Sequence, residues 1–97
     1  MRHFYRSHLP LADVLAAADQ FFPDIGLAQQ TTSPKTRTYT GALGTLLLSV
    51  KAEGGHYTFI QVDTDQMGES RLDRNVKRFF TSVHRTAEPS HVLSMNY

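Results

Sequence analysis

Hydrophobic and polar residues along the chain follow two different periods, and each period predicts a type of element. Apolar residues recur at three- and four-residue steps in residues 11–22 and 70–85, a spacing that predicts two amphipathic helices. Segments rich in aromatic, β-branched and threonine residues predict strands. The predicted strands are residues 2–7, 27–32, 35–40, 45–53 and 56–63.

Local signals place the ends of both helices. Pro10 is expected at the first helical position, where its fixed φ suits a helix start, and Pro23 is expected to end the first helix after Phe22. Ser70 and Asp73 approximate a capping box at the start of the second helix. The predicted apolar stripe of that helix consists of Leu72, Val76, Phe79, Phe80 and Val83.

Gly54 and Gly55 separate the last two predicted strands and predict a tight hairpin. A two-residue turn of this kind needs positive φ, which glycine adopts without steric cost. We therefore expect Glu53 to lie opposite His56. Counting back from that pair sets the register of the whole hairpin.

This register predicts an apolar cluster on the second face of the hairpin. Leu47, Ile60 and Val62 gather there, whereas Val50 and Phe59 lie on the face expected to meet the helices. Three large apolar side chains on an otherwise open face favour a covered surface. The sequence therefore predicts that a partner or a chain terminus covers Leu47, Ile60 and Val62. The expected partner is a second copy of the chain, with these three residues at the interface.

The predicted fold class is α+β, in a single domain over residues 1–97. Four or five strands form an antiparallel sheet in the order β-α-β-β-β-β-α, and the long C-terminal helix packs on one face. Residues 90–97 are interpreted as an edge strand or a flexible tail. A ferredoxin-like βαββαβ arrangement is the runner-up, and it requires a strand at 91–95 and a loop at 27–38.

Composition narrows the function classes. The 97 residues contain no cysteine, which removes disulfides and thiolate metal sites and fits a reducing, cytoplasmic location. No apolar run approaches the roughly 20 residues that cross a bilayer, so no membrane partner is expected. Ten basic against nine acidic side chains give a net charge of +1, so nucleic-acid binding would have to depend on local charge.

Motifs for catalysis, metals and cofactors are missing from the sequence. Residues 63–69 resemble a calcium loop, but Met67 and Arg74 occupy two of the ligand positions. The five histidines lack metal-ligand spacing, and no serine lies in a nucleophile elbow. We therefore expect no metal site, no catalytic residue and no cofactor.

Arginine is concentrated on one side of the second predicted helix. At about 100° per residue, four arginines lie within about 60° of one another. They are Arg71, Arg74, Arg78 and Arg85. Guanidinium groups suit phosphates and carboxylates, so these residues are candidate anion-binding groups, although most charged helix faces are simply solvated.

Aromatic residues supply a second set of candidates. Most fall on predicted core faces, where packing explains them. Four are candidate ligand-binding residues for a pocket between the sheet and a helix. They are Tyr5, Tyr39, Tyr57 and Phe59.

Two fold-level resemblances follow from the element order. The opening, residues 2–14, and the closing hairpin with its helix, residues 45–85, resemble the two ends of a helix-grip domain of the START or polyketide-cyclase type. The chain is some 50 residues short of a full grip. The helix-grip resemblance implies an enclosed apolar ligand. The order is also similar to one half of the TATA-binding-protein fold, which implies pairing of two such units.

The expected function is that of a small non-enzymatic binding or assembly module. It is expected to be homodimeric and to hold a small apolar ligand between the sheet and the C-terminal helix. The first alternative is an adaptor that binds nucleic acid or an acidic protein through the arginine side of the helix. The second is a small lyase or cyclase using Asp63 or His56, which requires a strongly perturbed pKa in a pocket.

Overall fold

A computed structural model describes residues 1–87 as a five-stranded antiparallel sheet with two helices packed on one face. The elements are β1 (Arg2–Ser7), α1 (Leu11–Asp24), β2 (Ala28–Thr32), β3 (Thr36–Gly41), β4 (Gly44–Glu53), β5 (Tyr57–Thr64) and α2 (Arg71–Ala87). The spatial order is β1-β5-β4-β3-β2. The predicted α+β class and element order are confirmed.

The ferredoxin-like runner-up is wrong because it needs a loop at residues 27–38, where the chain forms β2 and the first half of β3. Threonine suits the pleated surface of a strand, and it recurs through both elements. The predicted edge strand or tail at residues 90–97 lies outside the described residues.

Both helices pack against the same core. α1 contacts β2, β3 and β4, and α2 contacts β1 and β5. Three rings fill the centre: the Phe22 ring lies 5.1 Å from that of Tyr39 and 5.0 Å from that of Phe79. All three are fully buried. The space between sheet and helices at this point is therefore packed with side chains.

α1 runs two residues further than predicted and includes Pro23. Proline in the last turn removes only one backbone bond, and a Schellman motif closes the end: Leu27 N–H donates to Phe22 O at 3.1 Å and Gly26 N–H to Pro23 O at 3.0 Å. Gly26 has the positive φ, 92°, that this motif requires. Pro10 is the N-cap rather than the first helical residue.

The β3–β4 turn packs closely against the end of α1. Gly41 pairs with Gly44 across a two-residue turn. This turn is shorter than the four residues, 41–44, that separate the predicted strands 35–40 and 45–53. A Cβ atom on Gly41 would lie 2.5 Å from the carbonyl oxygen of Gly26. Only glycine fits there without displacing the backbone.

The predicted register of the β4–β5 hairpin is wrong by one residue. Glu53 lies opposite Tyr57 rather than His56, because His56 joins the two glycines in a three-residue turn. Both glycines do adopt positive φ, 64° and 75°. The predicted positive φ of the two glycines is therefore confirmed, and the predicted two-residue length of the turn is wrong.

Burial explains the observed register. Val50 pairs with Ile60, and Leu48 with Val62, on the face that meets the helices. Ile60 and Val62 are fully buried there. Burying two such side chains is worth about 3–6 kcal/mol, far more than one extra residue of loop costs.

Candidate functional site

The exposed side of α2 carries the four arginines named from the sequence. Ser70 caps the helix, since its Oγ accepts the Asp73 N–H at 3.0 Å. The stripe that faces the core contains Leu72, Val76, Phe79 and Val83, as predicted, whereas Phe80 is half-buried. Arg71, Arg74, Arg78 and Arg85 are all exposed on the other side. We call these four residues the arginine face.

In the described part of the chain, neighbouring acids do not neutralise the arginine face. Within residues 1–87, no carboxylate lies within salt-bridge distance of its four guanidinium groups, and Arg78 Nη1 donates instead to Asn75 Oδ1 at 2.8 Å. Lys77, beside the face, reaches Glu69 at 3.4 Å.

The other arginines are paired. Arg2 donates to Asp63 at 2.7 Å and Arg6 to Glu53 at 2.7 Å, both on the open face of the sheet. Arg37 donates to Asp19 at 3.0 Å. Unpaired arginine is thus confined, in the described part of the chain, to α2.

A groove of about 550 Å³ lies beside the arginine face. Its walls are Phe21 of α1 and five residues of the second half of α2. These five are Arg78, Thr81, Ser82, Arg85 and Thr86. Two guanidinium groups, three hydroxyls and one half-buried aromatic ring therefore border the same space.

The structure brings together only two of the four ligand-binding candidates. Tyr39 is buried in the core, and Phe59 lies on the open sheet face, where Phe4, Arg6 and Lys51 surround its ring at 4.8–5.5 Å. Tyr5 and Tyr57 meet in one cleft.

The Tyr5 cleft has a volume of about 230 Å³ at the end of β1 and α2. His8 packs on Tyr57 with ring centres 4.7 Å apart, and His84 Nδ1 is 3.1 Å from the Tyr5 hydroxyl. Phe80 stacks on Tyr5 at 5.3 Å. The cleft is lined by rings, and imidazole and phenol groups give it polar edges.

Two of the three residues of the predicted interface, Ile60 and Val62, do not lie on a surface. Ile60 and Val62 are fully buried under the helices, and only Leu47 is exposed, at 42%. The one-residue difference in register moved the two β5 side chains to the core face. The homodimer stays a prediction, but these three residues no longer support it, because two of them are buried in the core.

Two buried side chains, Asp73 and Tyr39, attach the helices to the sheet through hydrogen bonds that the sequence did not predict. Asp73 is fully buried and accepts His3 Nε2 at 2.8 Å. Tyr39 donates to Asp19 Oδ1 at 2.5 Å. Burial, this hydrogen bond and the charge of Asp19 raise the pKa of Tyr39 well above its usual range. The partners lie 70 and 20 residues apart in the chain, so no local pattern could reveal them.

Asp63, near the end of β5, and Asp65, in the loop before α2, are both held by hydrogen bonds. Arg2 and Gln61 lower the pKa of Asp63, and the backbone N–H of Thr45 lowers that of Asp65. Among residues 1–87, no three His, Asp or Glu side chains are placed to share a metal ion. Asp63 lies on the open sheet face and His56 in an exposed turn, away from both the groove and the Tyr5 cleft.

No protein-family model matches this sequence, and no curated protein is similar to it. The helix-grip and TATA-binding-protein resemblances therefore stay predictions from element order. Neither α1 nor α2 combines the length and hydrophobicity that crossing a bilayer requires.

Proposed function

We propose that this protein is a non-enzymatic binding module that holds the phosphate backbone of a nucleic acid along the arginine face of α2. The observation that carries the proposal is the pairing pattern of the arginines. Arg2, Arg6 and Arg37 each have a carboxylate partner. The four of the arginine face have none within the described residues.

The dimensions of the arginine face suit a phosphate backbone. An α-helix rises about 1.5 Å per residue, so Arg71 and Arg85 lie about 21 Å apart along the axis. One strand of a nucleic acid presents a phosphate about every 3.4 Å of duplex axis. Four guanidinium groups in one row can therefore contact phosphates of the same strand, each through paired N–H donors.

The chemistry of the face favours nucleic acid over an acidic protein. Between the arginines, the exposed surface consists of Lys77 and hydroxyl side chains. Protein interfaces draw most of their affinity from buried aromatic and apolar anchors, whereas a phosphate backbone requires only cations and hydrogen-bond donors.

Salt dependence follows from the number of contacts. Four phosphate contacts predict a slope of log affinity against log salt of about −2.8 for a single strand and about −3.6 for a duplex. Raising the salt from about 50 to about 200 mM should therefore weaken binding about 50- to 150-fold.

Anisotropy of a fluorescent mixed-sequence oligonucleotide tests the proposal. The double variant Arg74→Gln/Arg78→Gln should lose at least about tenfold in affinity, and its salt slope should shrink by about 1.4–1.8, the value of two contacts. The matched control Arg2→Gln/Arg6→Gln removes the same charge from the open sheet face and should change affinity less than about threefold.

Three results would overturn the proposal. One is the absence of oligonucleotide binding by the unmodified protein at low salt. Another is an equal loss in the two double variants, because binding would then follow net charge alone. The third is full competition by poly-glutamate at equal charge concentration, which would assign the arginine face to an acidic protein.

The Tyr5 cleft supports a second candidate function, the binding of a small aromatic ligand. Its volume of about 230 Å³ accommodates a single-ring compound. Phenol and indole serve as probes: each should raise the melting temperature of the unmodified protein, and Tyr57→Ala should abolish the increase. An equal increase in the variant would contradict ligand binding at this cleft.

A further inference from the structure

Phe21 and Arg78 face each other across the groove beside the arginine face. The guanidinium carbon of Arg78 lies 6.0 Å from the centre of the Phe21 ring. That distance is at the outer limit of a cation–π contact. It is about 1 Å short of the roughly 7 Å that a planar ring needs between two stacking partners, since each stacked contact takes about 3.5 Å.

Phe21 and Arg78 differ in how firmly their neighbours hold them. Phe21 is half-buried and fixed from α1 by contacts with Phe22 and Phe79, at 5.2 and 5.5 Å between ring centres. Arg78 is exposed on a flexible stem, and its described hydrogen bond is the one to Asn75. A small outward movement of Arg78 would therefore open a slot for one flat ring, with a rigid aromatic floor.

The rest of the groove offers groups that suit a nucleotide. The hydroxyls of Thr81 and Thr86 donate to backbone carbonyls at 3.1 and 3.0 Å, which leaves their oxygen lone pairs to accept from a base or a ribose hydroxyl. Arg85 lies two helical turns beyond Arg78, about 10.5 Å along the axis. It can contact a phosphate next to the ring.

We infer that this groove takes one unstacked base between Phe21 and Arg78, so that the nucleic acid bound by this protein is single-stranded. The inference rests on the proposed function, because Arg71 and Arg74 supply the backbone contacts that hold the neighbouring nucleotides. Arg78 stacks on the base with the face of its guanidinium group, and the N–H groups at its edge still donate to a phosphate. In a duplex the bases remain paired and stacked, so none can reach Phe21.

Binding of four probes tests the inference. They are a single strand of about ten nucleotides, the same sequence as a duplex, an abasic strand of the same length and a mononucleotide. The single strand should bind at least about fivefold more tightly than each of the others, because a base on an aromatic ring contributes about 5- to 150-fold in affinity.

Phe21→Leu should weaken binding of the single strand by about 5- to 150-fold and leave binding of the abasic strand unchanged. Unchanged abasic binding also reports that the arginine face has kept its structure. The matched control is Phe80→Leu, a half-buried ring of α2 that stacks on Tyr5 outside the groove. It should leave single-strand binding within about twofold.

The outcomes separate this inference from the proposed function. Unchanged single-strand binding by Phe21→Leu, or equal affinity for duplex and single strand, overturns the base site and leaves the arginine face intact. A mononucleotide that binds as tightly as the strand overturns the single-strand assignment. Failure of Arg74→Gln/Arg78→Gln to weaken any probe overturns both proposals.

Discussion

Replacing Asp73 with alanine removes the carboxylate that attaches the start of α2 to the sheet. Asp73 Oδ1 accepts His3 Nε2 and Thr64 Oγ1, both at 2.8 Å. Oδ2 accepts Ser70 Oγ at 2.7 Å and the Gly68 N–H at 3.0 Å. Asp73 is fully buried, so its removal leaves these four donors without their acceptor in a site largely closed to water.

The expected cost is large for a chain of this size. A buried donor or acceptor that loses its partner costs about 1–3 kcal/mol, and Asp73→Ala removes the acceptor of four donors, so we expect a loss of at least about 3 kcal/mol. A domain of this length has a total stability of about 5–15 kcal/mol. Each kcal/mol corresponds to about 4–8 °C, so Asp73→Ala should lower the melting temperature by about 12 °C or more.

Urea unfolding at pH 7, followed by circular dichroism, measures this free energy. Asp13→Ala is the matched control, because Asp13 also lies in the first turn of a helix but is exposed. It should cost about 0.3–1 kcal/mol, the value of a charge near a helix dipole. If Asp73→Ala costs no more than Asp13→Ala, the buried carboxylate does not organise the start of α2 and the reasoning is refuted.

Three further predictions concern the same contacts. Burial tends to raise the pKa of Asp73, but its hydrogen bonds, foremost that from His3, outweigh this and hold the pKa well below its usual range. The carboxylate of Asp73 should therefore contribute fully to the free energy of unfolding above about pH 4, and less below it. The difference in this free energy between the unmodified protein and Asp73→Asn, measured in urea, should narrow from pH 7 to pH 3. A constant difference would contradict this. Because the pKa of Tyr39 is raised, its bond to Asp19 contributes fully to stability below about pH 10, and this contribution declines as the pH rises from 10 towards the raised pKa. Ultraviolet titration at pH 11 should therefore detect one tyrosinate fewer in the folded than in the urea-unfolded chain; equal numbers would count against the buried phenol. Gly41→Ala should lower the free energy of unfolding by about 1–3 kcal/mol, because the added methyl group meets the carbonyl oxygen of Gly26 just after α1. An unchanged free energy in urea would show that the two backbone segments have room for a methyl group between them.

Much of the fold could be predicted because its signals are local. The bounds of β1 match the prediction, and those of α2 are within two residues of it. The capping residues Ser70 and Asp73 lie within one turn of each other. Periodicity along α2 was also enough to place four arginines on one side, because the angle between residues of a helix is fixed by the backbone.

Whether a charged side chain is paired is not a local property. Arg2 reaches Asp63 only because β1 pairs with β5, the last strand within residues 1–87. That the arginine face has no carboxylate partner among residues 1–87 likewise follows only from the positions of all the other elements in that range. Phe21 gave no sign in the sequence of lying beside Arg78, since the two belong to different helices.

The sequence by itself determined which segments become strands and helices, where the chain turns, and which side of α2 is charged. Tertiary structure decided the register of β4 and β5, because only the covering helices make the burial of Ile60 and Val62 worth a longer turn. It also decided which arginines are neutralised and which aromatic ring borders the groove. Backbone geometry and side-chain periodicity act over a few residues, whereas burial and charge pairing depend on neighbours that are distant in the chain.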